Sequence, residues 1–188
     1  MELEFAAGLI RSWRPEDADS LVREADNRNI WLTVRDRFPY PYTRAHAEAW
    51  IARAISDVPE THFAIDLGAR AVGGIGLELQ EDVSRYSAEL GYWLGETHWG
   101  RGIMTAAVSR FTEYAFRTFD LCRIYALVFE TNPASRRVLD RAGYTLEGRL
   151  RRAVYKDGRI LDQFLYAVSH EARPLHPPSC GGMDIAPS

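Results

Sequence analysis

The sequence predicts a single mixed α/β domain, and three observations carry that prediction. Strand-like and helix-like segments alternate along the chain. The apolar period lengthens from two residues to about 3.6 at Ile103, where a strand pattern gives way to a helical one. The pair Asp157-Gly158 between two strand-like runs suits the tight turn of a closing hairpin. With 188 residues, 46% of them hydrophobic, the chain can bury one sizeable core and is short for two. Residues 1–170 are therefore expected to form one domain.

Residues 9–13 are short and apolar, as a strand requires. Arg14, Pro15, Glu16 and Asp17 then open a helix with proline and acids in its first turn, and Ala18, Leu21, Val22 and Ala25 give it a buried face. Residues 27–42 hold Trp31, Phe38, Pro39, Tyr40, Pro41 and Tyr42 without steady periodicity, as either packing or a substrate wall. Thr43 reads as the N-cap of a second helix ending near Asp57. Phe63, Ile65 and Leu67 alternate along a strand, a turn at 68–70 follows, and strands over 71–79 and 84–95 continue the sheet. Ile103, Ala107, Phe111, Tyr114 and Ala115 share one helical stripe. A strand over 122–129 precedes a helix over 132–142, which Gly143 stops. Runs 144–155 and 160–168 close the domain as a hairpin, and residues 171–188, rich in proline, glycine and serine, read as a weakly packed tail.

Composition excludes several classes of function. No run approaches the roughly 18 apolar residues of a membrane span, and the start lacks the basic and long apolar segments of a secretory signal. A cytoplasmic protein without membrane contact is expected. Cys122 and Cys180 make no disulfide framework and have no ligand spacing to the five histidines, so no metal is expected. A net charge of −3 gives no footprint for nucleic acid, although basic residues cluster between Arg136 and Arg159.

The stretch HWGRGIMTAAV, starting at His98, sets two glycines around Arg101 at a strand-to-helix transition. The first amides of a helix lack internal partners and carry its positive dipole end, so a phosphate bound there satisfies both. Three readings compete with plain turn chemistry for this loop. A dinucleotide fingerprint would need a small residue where Thr105 stands, and an ATP-type loop would need lysine and a hydroxyl where GETHWGRG has Arg101 and Gly102. The third comes from the neighbouring segments.

AELGYWL (88–94), WGRGIMT (99–105), NPASRRVLDRAGY (132–144) and YKDGRILDQFLYAV (155–168) occur in an order that resembles the GNAT superfamily of acetyl-CoA-dependent N-acetyltransferases, in its RimJ/RimL branch. The resemblance covers roughly residues 9–169. It implies an α/β (α+β) GNAT fold: a mixed sheet of about seven strands splayed between the fourth and fifth, flanked by about four helices. It implies acetyl-CoA as cosubstrate and no metal. Backbone near Trp93 and Leu94 would pair with the pantetheine arm, and amides of Gly100, Arg101, Gly102, Ile103, Met104 and Thr105 would hold the pyrophosphate. Trp99 and Met104 depart from the family's usual residues, and Met104 fits if its side chain turns inward. Asn132 would anchor the arm and cap its helix.

Acetyl transfer needs an unprotonated amine and a thiolate that can leave. An α-amine titrates near 8 and a lysine near 10.4, so a base or water relay must take a proton at neutral pH. The resemblance offers Glu89 as that base; the alternative is a solvent-facing acid that draws in a cationic acceptor. Leu139 stands where the superfamily often has a proton-donating tyrosine, which leaves Ser135 or water for that role. Ser135 could instead only hydrogen-bond pantetheine. Arg136, Arg137 and Arg141 either meet the 3′-phosphate or form a solvated face, while Asp162 and Gln163 line the acceptor pocket or hold the hairpin. Glu81 and Asp82 are expected near that pocket. The acceptor is a primary amine, of a protein N-terminus or a small molecule, and a homodimer is the assembly the resemblance allows. The alternative is an acyl-CoA-binding sensor with little or no catalysis.

Overall fold

Alternation with period two in the first half of the chain builds a sheet whose two faces are both covered. The computed structural model describes residues 1–68 and 70–170. The tail expected over 171–188, with Cys180, lies outside the described residues. The strands are β1 (Glu2–Phe5), β2 (Gly8–Ser12), β3 (His62–Asp66), β4 (Ala71–Leu79), β5 (Ser87–Leu94), β6 (Arg123–Phe129), β7 (Thr145–Lys156) and β8 (Arg159–Ser169). They form one sheet in the order β1-β2-β3-β4-β5-β6-β8-β7. Every neighbouring pair is antiparallel except β5 and β6, which run parallel.

That parallel pair is short. It joins Ser87 to Arg123, Ala88 to Ile124 and Glu89 to Tyr125. Past Glu89, β5 stays with β4 as far as Leu94 while β6 stays with β8 as far as Phe129, so a gap opens between them. This is the splay expected between segments 89–94 and 123–129. It falls between the fifth and sixth strands, not the fourth and fifth, because Glu2–Phe5 pairs with β2 and adds a strand at the N-terminal edge.

The helices are α1 (Ala18–Ala25), α2 (Arg28–Trp31), α3 (Arg44–Ser56), α4 (Ile103–Thr118) and α5 (Pro133–Arg141). Among the described residues there are thus five, one more than expected, because the Asn27 side chain caps the Asn29 and Ile30 amides and nucleates the short α2 inside the aromatic segment. Thr43 caps α3 as its sequence suggested, accepting the His46 amide at 3.3 Å. Gly143 ends α5 at φ +88°, and Asp157 and Gly158, both at positive φ, turn the last hairpin. Among the described residues no helix is long and apolar enough to cross a membrane.

On one face, Ile10, Phe63, Ile65, Leu77 and Leu90 pack with Ile103, Ala107, Phe111 and Ala115 of α4 and with Leu139 of α5. On the other, Ala64 and Ala71 meet Trp13 and the buried faces of α1 and α3. Ala64 between Phe63 and Ile65 shows the alternation directly. Beside this core, Arg11 is 2% exposed. Its guanidinium donates to both carboxylate oxygens of Asp17, at 2.7 and 2.8 Å, and to Asp66 at 2.8 Å, which pins β2, β3 and the turn before α1 together.

Candidate active site

A cavity of about 470 Å³ occupies the gap between β5 and β6. Four of the site residues expected from sequence line it: Glu89, Trp93, Asn132 and Ser135. Leu94 and residues 100–105 do not line it: Leu94 is the last residue of β5, and 100–105 follow past a 3₁₀ turn over Glu96–His98. A ligand that touches both groups must be elongated and run along the gap.

The loop ahead of α4 owes its shape to two glycines. Gly100 lies at φ +73° and Gly102, the N-cap, at φ +75°, and no side chain caps the helix. Ala106 is the first residue to close a helical bond, onto the Gly102 carbonyl at 3.1 Å. The Ile103 and Met104 side chains are buried in the core, so the inward turn that Met104 needed is present. Trp99 donates its indole N–H to the Leu94 carbonyl at 2.7 Å and ties the loop to the strand end. A Cβ on Gly102 would meet nothing within 4 Å, so the backbone angle alone demands glycine. Gly102→Ala is expected to cost about 1–2 kcal/mol through that angle, read as a shift in thermal unfolding, with the core untouched.

Hydrogen-bond phase decides which main-chain groups of β5 face the gap. The Gln80 amide donates to Ser87 O at 3.0 Å and the Gly95 amide to Val72 O at 2.8 Å. With Glu89 opposite Glu78, Gly91 opposite Gly76 and Trp93 opposite Gly74, those residues pair their main chains with β4. The main chains of Tyr92 and Leu94 point the other way, into the gap. This corrects the expectation for Trp93, whose backbone is committed to the sheet; its indole lines the cavity instead. The Leu94 carbonyl is taken by Trp99, which leaves the Leu94 amide.

Glu89 shares its face of β5 with Gly91 and Trp93, and its side chain is 15% exposed. It is paired with Arg35, from the segment after α2. The next two residues of that segment are also tied down. Asp36 accepts from Lys156 at 2.6 Å and Arg37 donates to Glu78 at 2.7 Å. Lys156 Nζ also stands 3.8 Å from the Trp31 ring centroid. Arg35, Asp36 and Arg37 thus fasten one loop to β5, β7 and β4. Burial opposes the charge on Glu78, but Arg37 and His62 more than offset it and hold the carboxyl below its usual range. Burial pushes the neighbouring His62 down. Phe38 packs edge-on to Trp93 at 5.5 Å and both line the cavity, so the aromatic segment is packing and wall at once.

Ser135 sits in the first turn of α5. Its amide donates to the Asn132 side chain at 3.0 Å, so Asn132 caps this helix as expected. Its hydroxyl lies 2.8 Å from the Tyr92 hydroxyl. Sequence reasoning missed Tyr92. The available signal was its place on the Leu90 and Leu94 face, where a buried tyrosine must find a polar partner. Burial pushes the Tyr92 phenol well above its ordinary value. Leu139 is fully buried in the core and offers no donor.

Other candidates are committed elsewhere. Arg136 stacks on Phe164 at 4.0 Å and reaches the Tyr166 hydroxyl at 3.3 Å. Asp162 accepts the Arg152 amide at 2.7 Å and the Arg149 guanidinium at 2.5 Å, so it holds the hairpin, while Gln163 lines the cavity. Glu81 and Asp82 lie at the β4–β5 turn and do not line the cavity, contrary to expectation. Tyr144 is core, with its hydroxyl 2.8 Å from Thr112. The ring nitrogens of His98 are buried without a hydrogen-bond partner among the described residues, with Glu24 Oε2 4.0 Å from Nε2, and lie away from the cavity lining.

A family model described as "Acetyltransferase (GNAT) domain" matches residues 9–145. The putative ribosomal N-acetyltransferase YdaF of Bacillus subtilis (strain 168) is 35% identical over 165 residues, 85% of this chain and 89% of that protein. The chain spans about half the length of another relative it matches: YoaA of the same organism, an uncharacterized N-acetyltransferase, is 35% identical over 97 residues, 52% of this chain and 54% of YoaA. Among solved structures, Mycobacterium smegmatis RimJ in complex with CoA-disulfide has a TM-score of 0.79 at 26% identity, over 93% of this chain and 88% of RimJ.

Proposed function

The chain belongs to the GNAT acetyltransferase family, and from that premise we propose that it transfers an acetyl group from acetyl-CoA to a primary amine. The observation that carries this reading is the elongated gap between β5 and β6, with Glu89 and Ser135 in its lining and uncapped helix amides at its far end. The family match sets aside the dinucleotide and ATP readings of the loop.

The residues present fit the cosubstrate. Amides of residues 100–105 would hold the pyrophosphate, the main chains of Tyr92 and Leu94 would meet the pantetheine arm, and Asn132 would stand beside it. Acetyl-CoA supplies an acyl group on a sulfur that can depart with an electron pair. Overall, a nitrogen–carbon bond forms and a carbon–sulfur bond breaks. Glu89 accepts the proton that the acceptor ammonium must lose, directly or through water, and the Ser135 hydroxyl donates a hydrogen bond to the departing sulfur. Arg35, paired with Glu89, shifts aside or shares the carboxylate when an acceptor enters.

The name of the YdaF relative, a ribosomal N-acetyltransferase, favours an amine of a ribosomal protein as acceptor. The cytoplasm and a homodimer stand as the proposed location and assembly. A second reading, an acyl-CoA sensor, is favoured by two observations: Leu139 fills the family's donor position and Glu89 is already ion-paired. Thiol release from acetyl-CoA, measured over peptide N-termini, amino acids and polyamines, separates the two. Turnover on at least one acceptor is expected; calorimetric binding of coenzyme A without any turnover supports the sensor, and no binding removes both.

A further inference from the structure

Tyr92 and Ser135 are 43 residues apart in sequence, yet both hydrogen-bond contacts of the tyrosine hydroxyl fall on this serine: Oγ at 2.8 Å and the carbonyl oxygen at 3.3 Å. A phenol brings one hydrogen, and its buried setting keeps that hydrogen in place. The shorter contact is to Oγ. When Tyr92 donates there, Ser135 Oγ is an acceptor on that side and its own hydrogen is free to point elsewhere. Ser135 lines the cavity, so the cavity is where that hydrogen can go.

The two sides of β5 give this pair its meaning. Glu89 and Trp93 project from one face and Tyr92 from the other, so the carboxylate and the paired hydroxyls flank the gap from opposite directions. Transfer between two heteroatoms at one carbon needs such a division, a proton acceptor on the incoming side and a donor on the outgoing side.

We propose that Tyr92 is a positioning residue that donates to Ser135 Oγ and thereby orients and polarises the serine hydroxyl toward the sulfur of the bound thioester. Chained hydroxyls strengthen each other's donation. No proton leaves Tyr92. As the carbon–sulfur bond breaks, its electron pair stays on sulfur, which accepts the Ser135 hydrogen bond; of the two protons that the acceptor ammonium sheds in becoming an amide, one neutralises the sulfur through Glu89 and water and the other passes to solvent. This rests on the acetyl-CoA reading above, and the experiment keeps the two separable.

Coenzyme A is first bound to the wild type, Tyr92→Phe, Ser135→Ala and the double variant, with affinity measured by calorimetry. Thiol ionisation of the bound coenzyme is then titrated by ultraviolet difference absorbance against the desulfo-coenzyme A complex, which cancels the tyrosines. Tyr92→Phe is expected to leave affinity within about twofold and to lower the ionisation constant of the bound thiol about tenfold. The double variant should match Ser135→Ala. In steady-state turnover, kcat should fall about tenfold in Tyr92→Phe with the acceptor KM held, and Tyr92→Phe should cost nothing further once Ser135 is alanine. Equal titrations in wild type and Tyr92→Phe, or additive losses in the double variant, overturn the assignment while leaving the acetyl-CoA reading intact. Absence of coenzyme A binding by the wild type removes both. If Tyr92→Phe does not fold, Ser135→Ala alone decides, because an unchanged thiol titration there also overturns the proposal.

Discussion

Replacing Glu89 by glutamine is expected to lower kcat/KM for the best amine acceptor by about 10²–10⁴, the usual contribution of a positioned base, while coenzyme A affinity stays near wild type. The side chain lines the cavity and is shielded from solvent, and glutamine preserves its volume and hydrogen-bonding shape. The capacity to take a proton is lost, together with the charge that meets Arg35. The variant should therefore recover relative to wild type as pH rises toward the acceptor's own pKa, about 8 for an α-amine and about 10.4 for a lysine. Steady-state kinetics across pH test this. A rise in acceptor KM with unchanged kcat would instead assign Glu89 to attraction of the cation, the alternative visible from the sequence.

The largest loss of stability is expected from Arg11. Arg11→Met should cost about 3–5 kcal/mol, because it leaves the Asp17 and Asp66 carboxylates buried without their shared cation. Urea unfolding with an unchanged slope and a lower midpoint would show it. The pH dependence has a definite sign. Burial works against the charge on Asp66, but Arg11 and the Gly68 and Arg70 amides outweigh it, so its folded pKa lies below the ordinary 3.8. A carboxyl lowered on folding contributes stability that is present above its unfolded value and lost as pH falls through the folded one. Wild type should thus lose stability below about pH 4, and Arg11→Met should lose less over the same range.

Much of the fold was legible because its causes are local. Thr43, Gly143 and Asp157-Gly158 act within a few residues of themselves, and the stripe from Ile103 to Ala115 needs only a helical period. Gly100 and Gly102 could be picked out for the same reason: a positive φ is a property of one residue. The strand Glu2–Phe5 escaped notice because its alternation, Glu-Leu-Glu-Phe, runs for only four residues, the shortest stretch that carries a strand signal. Glu81 and Asp82 were misplaced because nearness along the chain to β5 does not bring a turn to the gap, which opens at the other end of that strand.

By itself the sequence determined the alternating architecture, the glycine loop at the head of α4, and the succession of four segments that marks the family, all of them readable from residues close together. Only the folded chain decided that Glu89 meets Arg35, 54 residues away, that Ser135 meets Tyr92, and that the main chain of Tyr92 rather than Trp93 faces the opening. Each of these depends on strand register and hydrogen-bond phase. A shift of one residue between strands exchanges the two faces of the sheet, and no single segment carries that choice.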